Sequence, residues 1–192
     1  MAFIDPEQLA FDIDGVIADT MHLFIDILRD HYHIDTIRYE DITEYRLDQC
    51  LELDEEVLMG AVKLLLDGGY RATLKAIPGA GKVLRRIGKT TGRILMVTAR
   101  PDSKLIDQWM RELLNGVHRN SKIIATGSHE AKTEILLDHN IRWFVEDRLA
   151  TCKLLKAAGI EPILFKQPWN RKPNTFIQVE SWQELEHKIS FL

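Results

Sequence analysis

The feature that most limits what this chain can fold into is a set of five short apolar runs: Leu9–Ile13, Arg93–Val97, Lys122–Ala125, Arg142–Val145 and Pro162–Phe165. Each has the length of a strand and is bounded by polar residues, glycine or proline. From the second run onward they alternate with stretches of helical character. Pro101–Leu114 follows the second run, Glu130–His139 the third, and Arg148–Ala158 the fourth, stopping at Gly159. Ser181–Ile189 closes the chain, with Ser181 placed as an N-cap three residues before Glu184. Strands that alternate with helices build a parallel sheet covered on both faces. With right-handed crossovers the expectation is an α/β, doubly wound parallel sheet whose site lies at the carboxyl ends of the strands.

Roughly eighty residues separate the first run from the second, too many for one ordinary crossover. Within that gap Met21–Tyr32 and Glu55–Leu66 carry apolar residues at helical spacing. Leu23, Ile27 and Leu28 share one face, and Leu58, Val62 and Leu65 share another. Asp67-Gly68-Gly69 ends the second helix, and Gly79–Ile87, with Pro78 before it, leads into the second run. Residues 21–76 are therefore expected to form a small, mostly helical insert over the strand ends, and residues 1–20 and 77–192 the α/β core.

Composition narrows the class. The chain has 192 residues, of which 45% are apolar and 28% charged, which is enough to bury a sizeable core in one domain with a small insertion. A net charge of −4 argues against coating a nucleic-acid polymer or a membrane surface, since both need surplus Lys and Arg. The first residues show no basic stretch followed by an apolar run, and no segment approaches the ~20 apolar residues of a membrane span. Cys50 and Cys152 form no metal-ligand spacing, so inert thiols in a reduced, cytoplasmic setting are expected.

The chemistry concentrates at the run ends. Phe11-Asp12-Ile13-Asp14-Gly15-Val16 places two carboxylates two apart where a strand gives way to a turn, and Gly15 supplies a permissive backbone. A solvated acidic turn would look the same, but three further elements weigh against it. Thr98 ends the second run, Lys132 stands early in the helix after the third, and Glu146-Asp147 end the fourth. Paired acids repel unless a cation or base lies between them, and a hard cation with oxygen ligands such as Mg²⁺ suits the site. Arg100 reads equally as a phosphate ligand or as a partner for a carboxylate. His22, His31 and His33 lack a fourth metal ligand at any recognisable spacing, and Trp169, in a proline-containing loop, reads as packing or as lining the pocket mouth.

The order Asp/Asp, Thr, Lys, Glu/Asp at successive strand ends, spanning Asp12 to Asp147, resembles the haloacid dehalogenase-like superfamily. The resemblance implies a Rossmann-like core with a cap after the first strand, and a Mg²⁺-dependent phosphomonoester hydrolase. It implies Asp12 as the nucleophile that forms an aspartyl-phosphate, and Asp14 as the acid that protonates the leaving group and then activates water. Thr98, Ala99, Arg100 and Lys132 would bind the phosphoryl group, and Asp12, Asp14 (through its carbonyl), Asp147 and Glu146 would hold the metal. Where the superfamily often has a second Asp, Glu146 stands here: direct ligand, water-mediated ligand or partner for Lys132. Asp14 favours phosphate chemistry over dehalogenation, because an alkoxide leaving group needs a proton and a halide does not.

Within the superfamily, Asp12–Asp19, Thr98-Ala99-Arg100-Pro101 and Gln167-Pro168-Trp169-Asn170-Arg171 resemble the 5′(3′)-deoxyribonucleotidase-like branch. That implies a nucleoside monophosphate as substrate, although Thr20 stands where the branch tends to have an aromatic. A sugar phosphate or another small metabolite phosphate is the alternative. A receiver-like module with an acidic Mg²⁺ pocket would lack the long insert, and a member that binds a phosphorylated ligand without turnover would not need the full set of acids. No residue pattern speaks to the oligomeric state.

Overall fold

A computed structural model describes residues 3–68 and 74–191. Met1, Ala2, residues 69–73 and Leu192 lie outside the described residues, and with them Gly69, which the sequence marks as the end of a helix.

Among the described residues, six strands pair in parallel: β1 (Leu9–Phe11), β2 (Ile94–Thr98), β3 (Ser121–Ala125), β4 (Trp143–Glu146), β5 (Glu161–Phe165) and β6 (Ile177–Val179). Their order is β3-β2-β1-β4-β5-β6. Among the described residues, seven helices accompany them: α1 (Thr20–Tyr32), α2 (Glu55–Asp67), α3 (Ala80–Thr91), α4 (Lys104–Leu113), α5 (Lys132–Asp138), α6 (Leu149–Ala157) and α7 (Trp182–Lys188). The doubly wound α/β expectation holds. Strands β1, β2 and β4 are buried along their whole length, as the inner strands of a sheet covered on both faces must be. The sixth strand lies beyond the five apolar runs. It is an edge strand in which Ile177 and Gln178 are exposed and only Val179 is buried, so it leaves no apolar run to read.

The period of two along β1 sorts the core into two layers. Leu9 and Phe11 pack with Val83, Leu84 and Ile87 of α3, Ile106 and Met110 of α4, and Trp182 and Leu185 of α7. Ala10 faces the other way and joins Leu136 of α5 and Leu155 of α6. Because the chain leaves β1 toward β2 and β3 and later returns on the other side to β4, strand order reverses between β1 and β4. The crevice at such a reversal, past the carboxyl ends, is where open α/β sheets bind ligands.

Between β1 and α3 the chain builds a second apolar cluster of its own. Leu23, Phe24, Ile27 and Leu28 of α1 meet Ala61 of α2, with Ile42 and Leu51 from the connecting segment. Asp19 caps α1, its side chain accepting from the His22 amide at 3.4 Å. The expected apolar face of α2 is only half covered, because Val62, Leu65 and Leu66 line a cavity. The chain enters and leaves this segment through adjacent stretches. Asp19 N donates to Lys75 O, and Ile77 N to Ile17 O, both at 2.8 Å.

Trp182 ties the last helix to the middle of the sheet. Its ring stacks on Phe11 with centroids 5.4 Å apart, and its Nε1 donates to Val16 O at 2.8 Å. Trp182→Ala should cost ~3–5 kcal/mol, the usual range for a large buried aromatic. Trp182→Phe keeps most of the packing but strands a buried carbonyl, and should cost ~1–3 kcal/mol. Urea denaturation of both variants checks the order. Equal midpoints for Trp182→Phe and wild type would show that the Val16 bond contributes nothing.

Candidate active site

The site begins where β1 ends. Asp12 is 4% exposed, and its amide still donates to Val145 O at 2.9 Å, so the residue is held by the sheet. Its Oδ1 accepts from Ile13 N at 2.8 Å and lies 2.9 Å from Lys132 Nζ, so both bonds fall on one carboxylate oxygen. The chain then folds tightly back. Ile13 O accepts from both Ile17 N and Ala18 N at 2.8 Å, and Gly15 N donates to Ala18 O at 2.9 Å. Gly15 has φ +73°, and a Cβ there would fall 2.2 Å from Asp147 Oδ2. Glycine is thus required twice over, by backbone conformation and by the approach of the second acidic strand end.

Lys132, the first residue of α5, is wholly buried. Its ammonium lies 2.9 Å from Asp12 Oδ1 and 2.9 Å from Glu146 Oε2. Burial alone would pull this lysine down, but Asp12 and Glu146 outweigh it and hold it above the ordinary range. Burial would likewise raise Glu146, yet Lys132 wins and the carboxyl lies below its ordinary value. The other Glu146 oxygen accepts from Arg148 N at 3.0 Å. Asp147 Oδ2 accepts from Trp169 Nε1 at 2.9 Å, and the Asp147 carbonyl from Asn170 Nδ2 at 2.7 Å.

Asp12, Glu146 and Asp147 each offer a carboxylate oxygen within 4.8 Å of the others. Burial, and then the charge of Glu146, push Asp12 well above the usual carboxylate range, with Lys132 pulling the other way. Burial, Glu146 and Asp12 do the same to Asp147. One lysine among three buried acids leaves a deficit of positive charge.

Asp14 is less buried and turned toward Arg100. The guanidinium contacts it through Nη2 to Oδ1 at 2.7 Å and Nε to Oδ2 at 3.0 Å, and the Thr98 hydroxyl donates to Oδ2 at 3.2 Å. Of the two roles open to Arg100 from sequence, the structure shows the carboxylate partner. The acids Asp12, Asp14, Glu146 and Asp147 therefore meet with Thr98, Arg100 and Lys132 at the ends of four strands.

Above them lies a cavity of about 370 Å³ between the α/β sheet and helices α1 and α2. Asp12, Asp14, Ala99, Arg100 and Asp147 form its floor, and Phe24, Ile42, Leu47, Val62, Leu65 and Trp169 much of its wall. Of the two readings of Trp169 from sequence, packing or lining the pocket mouth, the structure shows the ring lining the cavity, with its Nε1 donating to Asp147. Gln167 and Asn170 were not singled out individually by the sequence. Gln167 Nε2 donates to Gly15 O at 2.7 Å and its Oε1 accepts from the Tyr39 hydroxyl at 2.7 Å, which ties the inserted segment to the turn after β1. Thr20, Tyr45 and His129 also line the cavity. The signal for His129 was its place in the loop after β3, at the same end of the sheet as the acids. His22 stacks on Tyr39 with centroids 4.2 Å apart, and His31 meets Tyr32 edge-on. Neither joins the acidic cluster, which is the only candidate metal group among the described residues. Cys50 and Cys152 are both unbridged, and no described helix is long and apolar enough to cross a membrane.

Comparison with known proteins agrees with this geometry. The family described as "5' nucleotidase, deoxy (Pyrimidine), cytosolic type C protein" matches residues 7–191. The nucleotidase-named protein YqfW of Bacillus subtilis (strain 168) is 27% identical over 182 residues, which cover 92% of this chain and 90% of that one. A 5'(3')-deoxyribonucleotidase of the same organism is 25% identical over 187 residues, covering 94% and 97%. Among solved structures, a HAD-superfamily hydrolase from Ehrlichia chaffeensis superposes with a TM-score of 0.57 at 15% identity, over 97% of this chain and 96% of the other, a likeness of fold. With the acids at the strand reversal and a match over nearly its whole length, the chain belongs to the cytosolic type C deoxy-5'-nucleotidase family and is a haloacid dehalogenase-like phosphatase.

Proposed function

We propose that this phosphatase hydrolyses nucleoside monophosphates in a Mg²⁺-dependent reaction that passes through an aspartyl-phosphate on Asp12. The observation that carries the proposal is the asymmetry of the Asp12 carboxylate. The bonds from Ile13 N and Lys132 both fall on Oδ1, which leaves Oδ2 to attack from the cavity floor. A nucleophile fixed in this way loses little freedom on reaching the transition state.

Asp12 Oδ2 bonds to phosphorus as the ester oxygen departs, and that oxygen takes a proton from Asp14. Asp14 then removes a proton from water as the water oxygen attacks phosphorus, freeing phosphate and restoring both carboxyls. For this Asp14 must turn from Arg100 toward the leaving oxygen, and Arg100 sets the orientation it turns from. Thr98, Ala99 and Lys132 hold phosphoryl oxygens, with Lys132 supplying charge in a site closed to water. Residues 21–76 act as the cap and residues 1–20 and 77–192 as the core. The names of the family and of the Bacillus subtilis relative support the substrate class, and a cytoplasmic setting accompanies it.

The donor set fits a hard divalent cation. Burial and Glu146 hold Asp12 and Asp147 above the ordinary carboxylate range, and an added positive charge would favour their ionised forms. Asp12, Asp147 and the Asp14 carbonyl would hold Mg²⁺, which when bound favours the ionised carboxylates and offsets charge on the phosphoryl group. Glu146 is engaged by Lys132 and Arg148 N and serves to hold the lysine.

Two outcomes follow for the protein in solution. EDTA should abolish phosphate release and Mg²⁺ should restore it. Mg²⁺ should also raise the thermal midpoint, because it binds the folded state alone. Asp147→Asn should lose both responses, and full activity in metal-free buffer would contradict the metal site. The second outcome concerns the two aspartates. Asp12→Asn should remove turnover and any phosphoenzyme, while Asp14→Asn should lower the rate ~10²–10⁴-fold. The Asp14 loss should shrink on p-nitrophenyl phosphate, whose leaving group hardly needs a proton. Rapid quench with labelled substrate and peptide mapping decides the matter, and label on Asp14 would refute the assignment.

A further inference from the structure

Asp12, Glu146 and Asp147 meet at the strand reversal, and the donors around them decide which carboxylate oxygens stay open. Asp12 Oδ1 accepts from Ile13 N at 2.8 Å and lies 2.9 Å from Lys132 Nζ. Glu146 is engaged at both oxygens, Oε2 by Lys132 at 2.9 Å and Oε1 by Arg148 N at 3.0 Å. Asp147 Oδ2 accepts from Trp169 Nε1 at 2.9 Å, a bond that takes one oxygen of that carboxylate and leaves the other. None of the three can offer a cation both its oxygens without giving up a bond already made.

The Trp169 bond differs from the others in what makes it. Ile13 N and Arg148 N are backbone groups, and Lys132 brings a full charge. The indole N–H is a neutral side-chain donor, so it holds Oδ2 without cancelling the charge of the carboxylate. Its place is fixed. Trp169 is buried, and its ring is tilted against Tyr39 with centroids 5.8 Å apart. The next residue, Asn170, donates from Nδ2 to the carbonyls of Asp147 and Phe165, at 2.7 and 2.8 Å. A Cβ on Gly15 would fall 2.2 Å from Asp147 Oδ2 and 3.1 Å from Trp169 Cζ2, so the backbone of the turn after β1 also closes on that oxygen. Oδ2 is thus flanked by the indole on one side and the turn on another.

We propose that the Trp169 N–H confines Asp147 to ligation through one oxygen and thereby gives the site a preference for Mg²⁺ over Ca²⁺. The proposal rests on the divalent-cation site inferred above and adds what chooses the ion. Mg²⁺ demands near-ideal octahedral geometry at ~2.1 Å, keeps several waters and is content with one or two carboxylates. Ca²⁺ takes about six to eight oxygens at ~2.3–2.6 Å and readily accepts both oxygens of one carboxylate. A carboxylate with one oxygen tied off and its rotation fixed meets the first demand and denies the second. Hydrogen-bond partners of ligating carboxylates commonly change metal affinity roughly 10–100-fold although they never touch the ion. Trp169 is therefore a positioning residue, acting on the cation through Asp147.

The test removes the N–H and keeps the ring. In the full-length protein, position 169 receives 3-benzothienylalanine, in which sulfur replaces the indole N–H, or 5-fluorotryptophan, which keeps the N–H. Trp169→Phe is a second protein without the donor. Thermal midpoints are recorded at constant ionic strength against rising MgCl₂ and CaCl₂, each alone, and their concentration dependence gives the two dissociation constants. Asp147→Asn should flatten both curves, which ties them to this cluster. The two proteins without the N–H should bind Mg²⁺ roughly 10-fold more weakly while Ca²⁺ stays within about 2-fold, so that the preference for Mg²⁺ falls about 10-fold. The 5-fluorotryptophan protein should keep the wild-type ratio, and midpoints without divalent cation show that every variant folds. An unchanged ratio, an equal loss of both cations, or a wild type that prefers Ca²⁺ would overturn the proposal and leave the metal site standing. A wild type whose midpoint answers to neither cation would overturn the metal site itself, and this proposal with it.

Discussion

The buried ammonium of Lys132 is the interaction on which the site depends. It is the cation placed between Asp12 and Glu146, and it joins three separate elements: the exit of β1, the end of β4 and the start of α5. Taking charges out of water costs several kcal/mol each, and only close pairing with further hydrogen bonds offsets this. The structure supplies both. Glu146 accepts from Arg148 N at its second oxygen, and Asp12 from its neighbouring amide. Removing the lysine would leave two buried acids facing one another, so the same contact orients the Asp12 carboxylate and holds together the crevice at the strand reversal.

A second set of contacts steadies the acids from the far side. The loop after β5 contributes Trp169 to Asp147 Oδ2, Asn170 to the Asp147 carbonyl and Gln167 to the Gly15 carbonyl. These bonds cross from the fifth strand to the first turn and the fourth strand end. Tyr39 extends them into the inserted segment. The acids thus sit in a frame that fixes the direction of individual carboxylate oxygens, so that the two oxygens of one carboxylate have different surroundings.

The sheet was legible because its inner strands are buried on both faces and so read as unbroken apolar runs. β6 was not, since an edge strand with one buried residue has no such pattern. The acids, Thr98 and Lys132 were legible because parallel topology collects strand ends in one place. Partners were harder. That Arg100 faces Asp14, and that Glu146 faces Lys132, depends on side-chain direction at the strand exits, which spacing along the chain does not encode. Tyr45, Gln167 and His129 act through contacts between residues far apart in sequence, and a lone aromatic, amide or imidazole in a loop carries no period to betray it.

The paired stretches at the root of the inserted segment have a consequence for how such a chain can change. Ile17 and Asp19 hydrogen-bond to Ile77 and Lys75, so the segment leaves and rejoins the core at nearly the same point. Once those ends are clasped, the entropy of closing the intervening loop grows only with the logarithm of its length, ~0.6 kcal/mol for each doubling. Residues added at the exposed connections of that segment would carry little loop-closure penalty, while the sheet, its crossovers and its acids keep their register. The clasp lets the connections above the cavity lengthen without moving its floor.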